Sequence, residues 1–107
     1  MRPPPVYALV GHPVGHSLSP LLHGAMLRLT GRAGSYVALD TAGGDGAAVV
    51  GALRTLGFAG ANLTIPLKEG ALPAVDQRAP CAARAGAVNT LVIDDNRLII
   101  GYNTDGD

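Results

Sequence analysis

Ser17 and Ser19 flank Leu18 in the segment GHPVGHSLSP, which runs directly into an apolar stretch of helical period. Two hydroxyls at i and i+2, beside the free N–H groups and positive dipole end of a helix, can hold both oxygens of a carboxylate without a full positive charge. That suits reversible binding of a small acid. The same pattern has a commoner use, Ser19 as a helix cap and Ser17 as a loop turn, and position alone favours it. Lys68 is the second candidate. It follows Pro66 at the end of an apolar run, where a lysine is not needed for solubility, and its ammonium can act as a general acid. Partial burial would bring its pKa toward neutrality, while a nearby carboxylate would raise it again and orient the side chain. Asp105 is the candidate partner, and a solvated lysine at a helix start is an equal alternative for Lys68 taken alone.

Asn62, Asn89 and Asn103 sit in or beside apolar segments, where an amide needs partners. They either bond neighbouring loops or bind a hydroxylated ligand, and three such amides favour the ligand. His12, His16 and His23 invite a metal, but His12 and His16 lie in a proline-glycine loop with no carboxylate pair, so a structural role fits better and no metal is expected. The single cysteine, Cys81, lies among alanines with no base beside it in sequence, and is read as a small buried residue without a catalytic role.

The elements that must position these groups follow from periodicity. Val6–Val10 is a short apolar run bounded by prolines and Gly11, hence a strand; Ser19-Pro20 then starts a helix that Gly31 closes. Tyr36–Leu39 reads as a second strand and Ala47–Leu56 as a second helix, with Val49, Val50, Leu53 and Leu56 inward and Gly57 ending it. Ala61–Ile65 is a third strand cut off by Pro66, and short helices are expected over 67–75 and 80–84. Val88–Ile93 and Leu98–Ile100 form a hairpin across Asp94, Asp95 and Asn96. This alternation predicts an α/β fold, a three-layer sandwich with a mostly parallel sheet and one antiparallel strand near its end. Ligands of such sheets bind at the carboxyl ends of the strands, where the candidate segments converge. The stretch TAGGDGAAV offers the start of GxGxxG, but its third position is Val49 and no acidic residue stands at ribose distance, so it reads as a flexible connection.

Bulk properties narrow the classes. The 107 residues make one domain; 48% are apolar and 15% charged, so the chain should fold. Eight basic side chains balance eight acidic ones and form no basic stripe, which argues against nucleic acid. The amino terminus matches neither a signal peptide nor a membrane span, and the cysteine usage fits a reducing cytoplasm.

Taken in order, GHPVGHSLSPLLHGA, GANLTIPLKEGAL, AGAVNTLV and GYNTDGD resemble the successive signatures of shikimate dehydrogenases, across nearly the whole chain. The resemblance implies an aminoacid dehydrogenase-like N-terminal domain that binds shikimate, followed in that family by a Rossmann domain that binds NADP. By position it makes Ser17 and Ser19 the carboxylate ligands. Asn62, Thr64, Asn89 and Asp105 become the ligands of the ring hydroxyls, and Lys68 and Asp105 the catalytic pair, with Lys68 also touching substrate. The implied reaction is reversible reduction of 3-dehydroshikimate, with hydride from NADPH and a proton through Lys68. Residues 1–107 then form the shikimate-binding domain alone, without the NADP-binding domain, and are expected to be inactive by themselves. The implied partner is a small-molecule substrate, and a homodimer is an open option. Leu63 and Leu67 depart from the family's frequent valine and histidine at positions that carry no chemistry. Tyr102 stands where the family varies, leaving preference between shikimate and quinate open. A non-catalytic shikimate or quinate sensor is the rival; it would have no use for a proton-transfer pair.

Overall fold

The computed structural model describes residues 4–12, 34–41 and 44–104. The helix expected from Ser19 to Gly31 lies outside them, as do Ser17, Ser19, His16, His23 and Asp105. Along the described chain come β1 (Val6–Gly11), β2 (Ser35–Asp40), α1 (Gly46–Leu56), β3 (Gly60–Leu63) and α2 (Lys68–Ala71). A 3-10 turn (Leu72–Ala74) follows, then β4 (Gln77–Arg78), α3 (Pro80–Ala85), β5 (Thr90–Ile93) and β6 (Ile99–Tyr102). The strands form one six-stranded sheet in the order β2-β1-β3-β5-β6-β4. β1 pairs in parallel with β2 and β3, and β4 with β6. β5 pairs antiparallel with β3 and with β6, so it is the one reversed strand, as expected. It lies inside the sheet rather than near its end. The edge beyond it is β4, whose polar pair Gln77-Arg78 carries no alternation to betray a strand.

Alternation sorts the strand residues onto two faces. Ala8, Val10, Ala61, Leu63, Leu91, Ile93 and Ile99 are buried together with Val50, Leu53, Leu67, Ala71, Val75, Ala82 and Val88. Register aligns them across the sheet: Ala8 with Ala61, Val10 with Leu63, Ala61 with Leu91, Ile93 with Ile99. The intervening row on the opposite face runs Leu9, Asn62, Thr90, Tyr102.

α1 begins where Asp45 caps it, its carboxylate accepting from the Ala47 N–H at 2.9 Å, and ends where Gly57 adopts φ 79°. Val50 and Leu53 are buried, but Leu56 is 71% exposed, against the expected inward face. The chain turns at Gly57 and places Phe58 on the core instead, leaving Leu56 at the outer end of the last turn. β3 stops at Leu63, short of the expected Ile65. The Leu67 N–H turns back to the Thr64 carbonyl at 3.0 Å, and Ile65, which precedes Pro66 across a cis peptide bond, is 63% exposed. The helix expected over 67–75 splits into α2 and the 3-10 turn, which carries Pro73. The 94–96 hairpin is confirmed: Asp94 Oδ1 accepts from the N–H groups of Asn96 and Leu98, both at 2.9 Å, and Arg97 takes φ 65°. β6 runs on to Tyr102, two residues past the expected Ile100, because the ladder continues to Thr90.

Gly46 is not part of a flexible connection. It is buried at the first turn of α1, and a Cβ there would lie 2.4 Å from the Leu67 carbonyl oxygen and 2.5 Å from the Ala71 nitrogen. Both neighbours are backbone and cannot swing aside. Gly46→Ala is therefore expected to destabilise the domain by about 1–3 kcal/mol, the usual cost of overpacking, read as a lower urea midpoint at unchanged slope.

Candidate functional site

The carboxyl ends of β1, β2, β3 and β6 and the amino end of the reversed β5 share one edge of the sheet, and the described candidate residues collect there. Asn62 is the third residue of β3, with its side chain on the Leu9–Thr90 face. Thr64 follows β3. Its N–H donates to the Val10 carbonyl at 2.9 Å, and its methyl lies so close over Gly11 that a Cβ there would sit 2.2 Å away. A glycine at the end of β1 is thus what lets Thr64 lie against the strand. Lys68 opens α2. The Leu67 side chain before it is fully buried, and the Lys68 carbonyl accepts from the Val88 N–H at 2.8 Å, so the lysine backbone is held on both sides.

Asn89 is 7% exposed and is the buried polar residue of the described core. Its backbone stitches the two halves of the site: the Leu63 N–H donates to its carbonyl at 2.8 Å, and its own N–H donates to the Tyr102 carbonyl at 3.0 Å. Its side chain is equally committed. Oδ1 accepts from the Thr104 backbone N–H at 3.0 Å and the Thr90 hydroxyl at 2.9 Å, while Nδ2 donates to Thr104 Oγ1 at 3.0 Å. Asn103 likewise bonds neighbouring loops, its Nδ2 donating to the Ala87 carbonyl at 3.1 Å and its backbone N–H to Cys81 Sγ at 3.4 Å. Of the expectations for the three amides, loop bonding holds for Asn103, and Asn89 ties down the segment that leads into Asp105. Cys81 is half-buried and serves as an acceptor rather than as a purely apolar filler.

Asn62 is held differently. The Tyr36 hydroxyl donates to its Oδ1 at 2.6 Å, and its Nδ2 donates to Thr90 Oγ1 at 3.4 Å. Tyr36, which sequence reasoning took only as the start of a strand, thereby reaches across β1 to the site. Burial pushes its phenol up from 10.0 to about 12, so the hydroxyl remains a donor throughout the neutral and mildly alkaline range. A tyrosine on an edge strand carries no local signal of this role, because its partner lies 26 residues away. At the neighbouring strand ends, His12 Nδ1 and Asp40 Oδ1 stand 2.6 Å apart, and the Thr41 N–H donates to the Gly11 carbonyl at 2.9 Å. This pairing gives His12 the structural role expected of it, tying the chain that leaves β1 toward the serine loop to β2.

The amino end of α1 is no seat for a pyrophosphate. The Asp45 carboxylate already accepts from the first-turn N–H of Ala47, and Gly46 is packed against the chain at 67–71. Among the described residues no helix is long and apolar enough to cross a membrane.

Residues 9–91 match the family model of the shikimate dehydrogenase substrate binding domain. The chain is 54% identical over 99 residues to the NADP(+) shikimate dehydrogenase of Moorella thermoacetica, a match that covers 92% of the chain and 33% of that protein. The shikimate 5-dehydrogenase of Thermus thermophilus, solved with NADP(H) and shikimate, superposes with a TM-score of 0.82 at 46% identity, over 94% of the chain and 38% of its own. The quinate dehydrogenase of Corynebacterium glutamicum, solved with NAD, gives 0.87 at 36% identity, over 95% and 38%. The chain thus spans about a third of the length of the curated relatives it matches.

Proposed function

The chain belongs to the family of shikimate dehydrogenase substrate-binding domains, and on that premise we propose that it binds shikimate and 3-dehydroshikimate and handles the proton in their interconversion. The observation that carries the reading is the placement of Asn62, Thr64, Lys68 and Asn89 on one sheet edge, with Asn62 and Asn89 joined through Thr90. Ser17 and Ser19 bind the carboxylate. Asn62, Thr64, Asn89 and Asp105 take the ring hydroxyls, and Asp105 holds Lys68 and the reacting hydroxyl in register. Lys68 donates the proton to the developing alkoxide when the ketone is reduced and accepts it back when the alcohol is oxidised.

NADP is the nucleotide named for the two shikimate dehydrogenases described above, and NAD the one bound to the quinate dehydrogenase. The residues at the start of α1 do not fit a dinucleotide, and in this reading residues 1–107 are the shikimate-binding unit. The reading carries with it the cytoplasm as compartment and small acids rather than nucleic acid or membrane as partners, and it leaves a homodimer as an open option. Quinate is the second candidate ligand, because the quinate dehydrogenase superposes as well as the shikimate enzyme does.

The test is calorimetric titration with shikimate and with quinate. Shikimate is expected to bind, and the double variant Ser17→Ala/Ser19→Ala to weaken it by roughly 100-fold or more, since two hydrogen bonds to a charged group are lost at about 1.5–3 kcal/mol each. Equal binding by the variant would remove the carboxylate assignment. Tighter binding of quinate would transfer the reading to that acid.

A further inference from the structure

The polarity of the hydrogen bonds across the site can be traced from one group whose direction admits no choice. The Thr104 backbone N–H can only donate, and it donates to Asn89 Oδ1 at 3.0 Å, which fixes that atom as the acceptor end of the Asn89 amide. The Thr90 hydroxyl, 2.9 Å from the same oxygen, must then give its proton to it. Having spent its one hydrogen there, Thr90 Oγ1 is an acceptor toward Asn62, so the Asn62 group facing it is the NH2. The Asn62 carbonyl therefore points the other way, and the Tyr36 hydroxyl meets it at 2.6 Å. A chain of bonds runs Tyr36 to Asn62 to Thr90 to Asn89, every donor pointing the same way, and Tyr36 is its head.

From this chain we infer that Tyr36 is the positioning residue that locks Asn62 as a hydrogen-bond donor toward substrate, making the site selective for a ligand oxygen that accepts at that position. The inference rests on the substrate reading above. An NH2 group has two hydrogens, and Thr90 takes one at a long 3.4 Å. The other is directed by the same locked amide plane. Without the tyrosine hydroxyl, rotation of the amide by half a turn would set its carbonyl against Thr90 Oγ1, whose only proton is committed to Asn89, so the flipped state costs an acceptor–acceptor contact. With the hydroxyl in place, the donor orientation is also rewarded. The raised phenol pKa keeps this donor protonated well above neutral pH.

The test uses the protein titrated with shikimate and with analogues in which each ring hydroxyl in turn is replaced by hydrogen. Tyr36→Phe removes one oxygen from a half-buried ring. It is expected to weaken shikimate about tenfold, the effect of leaving one carbonyl unpaired and one amide held by Thr90 alone. The loss is expected to vanish for the one analogue that lacks the hydroxyl facing Asn62. Asn62→Asp, which keeps an oxygen for Tyr36 and removes both N–H donors, should lose discrimination for that same hydroxyl. Thermal unfolding of each variant reports whether it is folded. No binding of shikimate by the wild type overturns the substrate reading and the inference with it. Wild-type binding with Tyr36→Phe unchanged, or with Tyr36→Phe weakening every analogue equally, overturns the inference and leaves the substrate reading standing. If Tyr36→Phe does not fold, unaltered selectivity in Asn62→Asp overturns it as well.

Discussion

If the proposed reaction holds, replacing Lys68 by alanine is expected to lower kcat for shikimate oxidation by roughly 10²–10⁴-fold while KM changes little, the signature of a lost general acid or base. The size of the effect follows from what the fold invests in that one position. Pro66 and the turn from Leu67 N–H to the Thr64 carbonyl end β3 abruptly, the buried Leu67 side chain anchors the next residue, and the Val88 N–H grips the Lys68 carbonyl. The backbone at Lys68 is therefore fixed. Lys68→Arg should not restore activity, because a guanidinium keeps its proton at every accessible pH and cannot act as the base. Steady-state kinetics provide the check, with kcat and KM determined separately for each variant. Unchanged kcat in Lys68→Ala would return the lysine to the solvated helix-start role and favour the sensor over the enzyme.

Leu67→Ala should be the most damaging change outside the chemistry. Leu67 is 0% exposed and among the largest fully buried side chains of the domain, so truncation removes buried methyl groups and opens a cavity. Such changes cost about 2–5 kcal/mol. For a domain of this size that corresponds to a fall in Tm of roughly 10–20 °C or more. The site should suffer with the fold, because Leu67 carries the carbonyl packed against Gly46 on one side and precedes Lys68 on the other. Leu67→Met, which keeps the volume, should cost less than about 1.5 kcal/mol. Calorimetric unfolding of the two variants separates these outcomes, and a Leu67→Ala midpoint within a degree or two of wild type would contradict the burial.

Much of the architecture was written locally. The apolar runs around Ala8, Ala61, Leu91 and Ile99 became strands, Gly57 stopped its helix with φ 79°, and Asp94 organised the hairpin turn, each within a few residues of its own signal. The reversed strand also followed from a local fact, since a turn as short as 94–98 can only join antiparallel neighbours. Where local reasoning went astray, the cause lay elsewhere in the chain. Gly46 looked like a loop glycine because the backbone that forbids its Cβ belongs to residues 67–71. Leu56 looked inward because helical period says nothing about how far the sheet beneath extends. β4 was invisible because its two residues pair only with β6.

The candidate site divides along the same line. By itself the sequence determined which residue types stand in which motifs, and so the family, the α/β architecture and the segments that reach the sheet edge. Periodicity and turn chemistry act over a few residues and survive without a tertiary context. Only the tertiary structure decided what each amide bonds within the protein: Asn103 and Asn89 bond neighbouring loops, and Asn62 is held by Tyr36 across an intervening strand. An asparagine has a donor end and an acceptor end, and its sequence neighbours do not distinguish them. The partners that do are brought there by strand register, and register belongs to the folded chain.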